Sequence, residues 1–348
     1  MKKIDLEAHF VTKEYLEHLR ARKEFPKLET IEDENRRKID RVWYEPGMCH
    51  TRTIEMTHRL LDLGNSRLKE MEAAAIDMQL LSLCDPGCDV FDASEAASLA
   101  KKTNERLSQV VKQYPDKFMG MATLSLQFPI EAANELERAI NELGLSGANI
   151  NSNIRGEYLD DFKYWPILEK AEKLRVPISL HPTVPSPSMR KPYAVYGYSL
   201  AGGGLGFAAE TALHAMRLIC SGVFDKYPKL KIILGHLGEG LPFFLNRLDL
   251  GFLKPPTPGE IRPKCERKPS DYLRTNFIVT TSGMFFHPSF LCVYLALGGD
   301  NMAFAIDYPF MESNSAVRFI ETAPICESDL DKISHLNAER LLDRRYAD

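Results

Sequence analysis

The sequence predicts a (β/α)8 barrel of the TIM type, an α/β fold of eight parallel strands, with insertions after strands 1 and 5. Eight short apolar runs alternate with amphipathic helical stretches along the chain. Four of those runs end in an acid or an imidazole. The length of 348 residues fits one elaborated barrel, so residues 1–348 are expected to form a single domain.

Bounded by turn residues, the runs lie at roughly 3–9, 79–84, 118–126, 147–152, 177–181, 231–236, 277–282 and 302–307. Between them, apolar spacing predicts helices over Ser94–Tyr114, Pro129–Leu143, Phe162–Leu174, Phe207–Ser221 and Glu312–Thr322. Several open on the Ser, Asp or Pro that suits a helix start. A last helix over Ser328–Leu342 closes the chain, with Arg340, Arg344 and Arg345 near its end, where cations complement the helix dipole. A doubly wound open sheet would also alternate strand with helix. It gives no reason, however, for polar residues to tip the first, fifth, sixth and eighth strands together.

Two segments depart from the repeat. Residues 11–60 are rich in Lys, Arg and Glu and read as a solvated excursion with a short helix at Ile31–Arg41. An insertion at that place overhangs the active face of a barrel, which brings His50, Arg52 and Trp43 into consideration as pocket residues. The loop 183–206 carries Tyr193, Tyr196, Tyr198 and Gly202-Gly203-Gly204 directly after His181. It lacks the Lys-Ser/Thr ending of a phosphate loop, so an aromatic cover over the site is the expectation.

Composition narrows the function. With 44% apolar and 26% charged residues and a formal charge of −4, nothing favours nucleic acid or an anionic membrane surface. No run of about 18 apolar residues occurs and the N-terminus lacks a signal-peptide core, so a cytoplasmic protein with a small-molecule substrate is expected. Seven scattered cysteines, an odd number without a C-x-x-C pair, read as free thiols, Cys84 and Cys88 included.

Chemistry concentrates at the strand tips. Glu7 and His9 stand two apart in Ile-Asp-Leu-Glu-Ala-His-Phe, a spacing that puts both on one face of a strand. His181, His236 and Asp307 end the fifth, sixth and eighth runs. Strand ends gather on one face of a barrel, so a Glu, two His and an Asp can meet around one divalent ion, and such nitrogen and oxygen ligands suit Zn²⁺ or Mn²⁺. Taken singly, each has a mundane reading, His as a hydrogen-bonded structural residue and Asp307 before Tyr-Pro as a turn cap. Glu239, three residues after His236, can bond one imidazole nitrogen, which reads as a proton relay. Arg247 offers either an anion contact or an ion pair with Asp249 or a surface Glu.

The chain resembles the decarboxylase branch of the amidohydrolase superfamily, the group containing γ-resorcylate, 5-carboxyvanillate and aminocarboxymuconate-semialdehyde decarboxylases. The resemblance is carried by Leu6-Glu7-Ala8-His9-Phe10, His181-Pro182, the stretch Thr211–Pro228, Leu234-Gly-His236-Leu-Gly-Glu239-Gly-Leu-Pro242, Thr280-Thr-Ser-Gly283 and Asp307-Tyr-Pro309. It extends over nearly the whole length, most firmly from 175 to 310. Where the wider superfamily often has His-x-His, this chain has Glu7-x-His9. That departure favours decarboxylation over hydrolysis.

The resemblance implies one metal ion held by Glu7, His9, His181 and Asp307, with His236 and Glu239 setting the protonation of Asp307. The expected substrate is an ortho-hydroxy aromatic carboxylic acid, decarboxylated without oxidation after Asp307 protonates the ring carbon. Phe10, Arg52, Arg247 and Phe286 are the expected substrate contacts, with Phe285 and His287 as further pocket candidates. A homodimer or homotetramer is also implied. The alternatives are a metal-dependent hydrolase or hydratase of a small carboxylated substrate on the same barrel, or a barrel that has lost catalysis and only binds.

Overall fold

The computed structural model describes residues 1–254 and 257–342. Eleven strands fall in two sheets: β1 (Ile4–Phe10), β2 (Lys27–Glu32), β3 (Lys38–Glu45), β4 (Met48–Thr53), β5 (Met78–Leu83), β6 (Phe118–Thr123), β7 (Gly147–Asn151), β8 (Ile178–His181), β9 (Ile232–Leu234), β10 (Phe277–Thr280) and β11 (Met302–Ala303). Eight of them form one parallel sheet in the order β1-β5-β6-β7-β8-β9-β10-β11. The ring closes where Leu6 N–H donates to Phe304 O at 3.1 Å and His9 N–H to Tyr308 O at 2.7 Å. This is the expected barrel.

Side chains sort by strand face. Ile4 and Leu6 join Leu80, Met121, Ile233, Ile278, Ala303 and Ala305 in a cluster that fills the barrel interior. A register shift in β1 between Asp5 and Ala8 turns Ala8 and Phe10 to the other face, where they pack into the larger core shared with the surrounding helices. Ala338, Leu341 and Leu342 pack on the interior cluster, so the last helix, Asn337–Leu342, plugs one end of the barrel. Arg340 near its end donates to Asp300 O, whereas Arg344 and Arg345 lie outside the described residues.

Four of the five expected barrel helices form within one or two residues of their expected bounds, as at Ala93–Gln113 and Gly206–Cys220, and the fifth opens as a 3-10 turn at Phe162–Tyr164 before the α-helix Trp165–Leu174. No helix among the described residues is long and apolar enough to cross a membrane.

The excursion after β1 needs a correction. Residues 31–41 are not helical: β2, β3 and β4 make an antiparallel sheet, with Ile31 opposite Ile39 and Val42 opposite His50. The turn is fixed by Asp33, whose Oδ1 accepts from the N–H groups of Asn35 and Arg37, both at 2.8 Å. Alternation of buried and open residues in Lys-Ile-Asp-Arg-Val-Trp-Tyr-Glu is the strand signal that the charge content obscured. Short helices flank the sheet at Lys13–Ala21 and Ile54–Leu61, each capped by a threonine side chain. The 183–206 segment folds into two short helices, Pro187–Ala194 and Tyr198–Ala201.

Candidate active site

The strand tips bring the foreseen residues together. Glu7 and His9 project from β1, His181 ends β8, and His236 and Asp307 follow β9 and β11. His9 Nε2 lies 3.2 Å from His181 Nε2 and 3.2 Å from Asp307 Oδ1. Glu7 Oε1 lies 3.6 Å from His181 Nε2 and 3.9 Å from the Nε2 atoms of His9 and His236. Backbone geometry permits this crowding. Gly235 leaves room for Glu7, since a Cβ there would stand 2.9 Å from Glu7 Oε2. His236, Glu239 and Asp307 all take left-handed backbone angles, with Asp307 at φ 75°, a conformation that L-residues adopt sparingly and that recurs at functional turns.

Support from behind aims the ligand atoms inward. Ser82 Oγ meets His9 Nδ1 at 3.1 Å, turning Nε2 to the centre. Ser282 donates to Glu7 Oε2 at 2.7 Å. Glu7 Oε1 is buried with no hydrogen-bond partner, although three imidazole nitrogens face it. An orphaned carboxylate oxygen among converging imidazoles is costly unless a cation satisfies it. Glu7, His9 and His181 place their ligand atoms within 4.8 Å of one another, so the site can hold one metal ion. Asp307 adjoins that trio through His9.

Burial and neighbouring charge set the protonation states. Burial raises Glu7, opposed by His236 and His9. Burial and the neighbouring His9 drive His181 well down, leaving it neutral and able to donate a lone pair. For His236, burial disfavours charge, yet Glu239, Glu7 and Asp307 outweigh it and hold the imidazolium well above its ordinary range. Glu239 Oε1 sits 2.9 Å from His236 Nδ1. Burial would raise Asp307, but His236 and His9 hold its carboxylate well below the usual range. His236 Nε2 and Asp307 Oδ2 are 3.8 Å apart, close enough for strong coupling.

Above these residues opens a cavity of about 740 Å³. Its wall includes His50, Arg52, Asp85, His181, His236, Glu239 and Asp307. Arg52 comes from β4, buried and without a carboxylate partner among the described residues. Its Nη2 donates to Asp85 O at 3.1 Å and its guanidinium lies 5.6 Å from the Phe310 ring centroid. His50 stacks on Tyr198 at 5.0 Å, and burial beside Arg52 drops its pKa to about 3, so it stays neutral. The insertion thus overhangs the site as foreseen, through His50 and Arg52. Trp43, paired with Cys49 on the other face of the small sheet, does not line the cavity.

Three expected substrate contacts fall elsewhere. Phe10 is fully buried on the outer side of β1, packed in the helix–barrel core. Phe286 is 60% exposed, ahead of the helix His287–Leu297. Arg247 is exposed beyond the first turn of Leu241–Phe252, whose Leu241 and Phe244 are the cavity residues. Of the other two candidates, Phe285 packs on Phe319, and His287 starts a helix with Nε2 3.0 Å from Phe319 O. Asp85 was overlooked. It follows the apolar run of β5, the same signal that marks His181 and Asp307, but stands one residue beyond Cys84, at which the expected run ends. Cys84 and Cys88 are free and buried.

A parallel barrel with a carboxylate–imidazole centre at its strand ends is the architecture of a metal-dependent enzyme. Residues 4–344 match the Amidohydrolase family, and the chain belongs to it. It is 38% identical over 296 residues to a γ-resorcylate decarboxylase of Rhizobium sp. (strain MTP-10005), covering 82% of this chain and 89% of that one. The 5-carboxyvanillate decarboxylase structure from Sphingomonas paucimobilis superposes with a TM-score of 0.87 at 34% identity, covering 98% of both chains. A dihydroxybenzoic acid decarboxylase from Polaromonas sp. JS666, solved with manganese and the inhibitor 2-nitroresorcinol, gives 0.83 at 36% identity, covering 98% of this chain and 96% of that one. Family, fold and site together make this chain a metal-dependent carbon–carbon lyase, a carboxy-lyase.

Proposed function

We propose that the protein removes CO₂, without oxidation, from an ortho-hydroxy aromatic carboxylic acid of the hydroxybenzoate type. The observation that carries this reading is the position of Asp307, 3.2 Å from His9 of the ligand cluster and 3.8 Å from the His236–Glu239 pair. A proton donor so placed touches both the metal side and the relay side of one substrate.

Glu7, His9, His181 and Asp307 would hold the ion, which when bound supplies positive charge against the phenolate and carboxylate oxygens. Arg52, buried and unpaired with any acid among the described residues, anchors anionic oxygen from the cavity wall. Asp307 and His236 share one proton as a coupled pair, resting on the imidazole and passing through Asp307 to the ring carbon that bears the carboxylate. Protonation interrupts the aromatic ring. The electrons of the ring-to-carboxylate bond then return to the ring, CO₂ leaves, and aromaticity is restored. Glu239 keeps His236 charged until the transfer.

The relatives' names support this substrate class, since they include decarboxylases of dihydroxybenzoate and carboxyvanillate. A mass-spectrometric time course of metal-reconstituted protein with ortho-hydroxybenzoates and their des-hydroxy analogues tests it. Turnover confined to the ortho-hydroxy acids is the expected result. Failure across the panel would refute it and return attention to lactones and unsaturated diacids, substrates for the hydrolase or hydratase alternative.

A further inference from the structure

The cavity is larger than the space a bare hydroxybenzoate fills. A space of about 150 Å³ already takes up benzene, whereas this one measures about 740 Å³. The segment 203–212 contributes Leu205 and Phe207 to the lining together with Gly203, Gly204, Ala208, Ala209 and Ala212, small residues that leave room beside them. No charged side chain of that segment lines the cavity. Glu210, on the same helix, is turned away and accepts from the Tyr158 hydroxyl at 2.9 Å.

Depth follows exposure. His181 at the floor is 7% exposed, while Leu205, Phe244 and Met284 in the cavity wall are 51%, 50% and 38% exposed. The chamber therefore runs from the ligand cluster outward between apolar walls. An aryl acid held at the floor by its carboxylate and ortho hydroxyl directs the opposite ring edge, para to one or other of those groups, into that space. A polar substituent there would lose water without gaining partners. An apolar one is favoured by its burial.

We propose that the natural substrate is an ortho-hydroxy aryl acid carrying an apolar side chain of several carbons on the ring edge opposite its carboxylate, seated against the Gly203–Ala212 wall. This inference rests on the decarboxylase reading above and specifies its substrate.

The test uses metal-loaded protein and two series with hydrogen, methyl, propyl or pentyl on the ring. One is the 4- and 5-alkyl-2-hydroxybenzoates, followed by CO₂ release. The other is the 4- and 5-alkyl-2-nitrophenols, which cannot lose CO₂, followed by calorimetric binding. Affinity and kcat/KM should rise about three- to fourfold per methylene, the factor that about 0.8 kcal/mol per buried CH₂ implies. Ala212→Phe, which fills the chamber, should erase that dependence on chain length, and Ala208→Phe from the same helix repeats the test should the first variant not fold.

Flat or falling affinity along the nitrophenol series in the wild-type protein would overturn the proposal. If the unsubstituted acid is turned over while affinity stays flat, the chamber is refuted and the decarboxylase reading stands. Rising affinity with no CO₂ from any acid refutes decarboxylation and leaves the apolar chamber established.

Discussion

Replacing Asp85 with asparagine should stabilise the protein near and above neutral pH. Asp85 is only 6% exposed, and burial lifts its carboxyl from 3.8 to about 7 against the lowering effects of Thr183, His9 and Arg190. The Tyr44 hydroxyl donates to Oδ2, while Oδ1 has no partner. Because the folded value lies above the unfolded one, the folded protein binds a proton that the unfolded chain has released throughout that window. Stability therefore falls as pH rises from about 4 to about 7. A displacement of roughly three pH units at 1.36 kcal/mol each bounds the loss at about 4 kcal/mol. Asparagine carries no charge and keeps an acceptor for Tyr44, so the variant escapes this loss. Urea unfolding of both proteins at pH 5, 6, 7 and 8 should show the variant gaining roughly 2 kcal/mol on the wild type between pH 5 and 7, then levelling off. A difference that stays constant over pH 5–7, or runs the other way, would show that Asp85 ionises normally and that Arg52 has an anionic neighbour after all.

Other outcomes follow from the same geometry. Glu239→Gln removes the charge that keeps His236 protonated against burial, so the limb of the kcat/KM profile reporting His236 should move to lower pH, with kcat down about 10- to 100-fold; an unmoved limb would clear Glu239 of this role. Arg52→Gln should raise KM for the aryl acid about 10- to 100-fold, the worth of one charge-assisted contact at 1.5–3 kcal/mol, and initial-rate kinetics would read it. Stripping metal with a chelator should abolish activity and lower the Tm, and readdition of Mn²⁺ at about 100 times its Kd should restore about 2.7 kcal/mol of stability. His181→Ala should lose that metal-dependent increment in the same thermal scan.

The catalytic floor was legible because two simple regularities govern it. Period-two alternation put Glu7 and His9 on one strand face, and a polar residue at the tip of an apolar run marked His181, His236 and Asp307. The same alternation, applied one residue further, would have placed Phe10 opposite His9 and hence outside the barrel, where it is found. The runs ending in His236 and Asp307 read as longer strands than β9 and β11 because their last residues leave the ladder for left-handed turns. Local spacing carries no sign of that change. In the excursion, strand alternation in β2 and β3 was masked by Lys, Arg and Glu on the open face. Arg247 and Phe286 could not be aimed from sequence, since whether a residue faces the cavity depends on how its βα loop turns before the helix begins. Cavity size was equally hidden, because the small residues at 203–212 line it together with residues of β4 and the strand tips that only the fold assembles.

The central claim is that Asp307 delivers the proton that releases CO₂, and Asp307→Asn tests it most directly. With metal-loaded variant and an acid that the wild type turns over, calorimetry should show binding within about threefold of wild type, while CO₂ release falls by about 10² to 10⁴ or vanishes. Release at the wild-type rate with Asn at 307 would contradict the account.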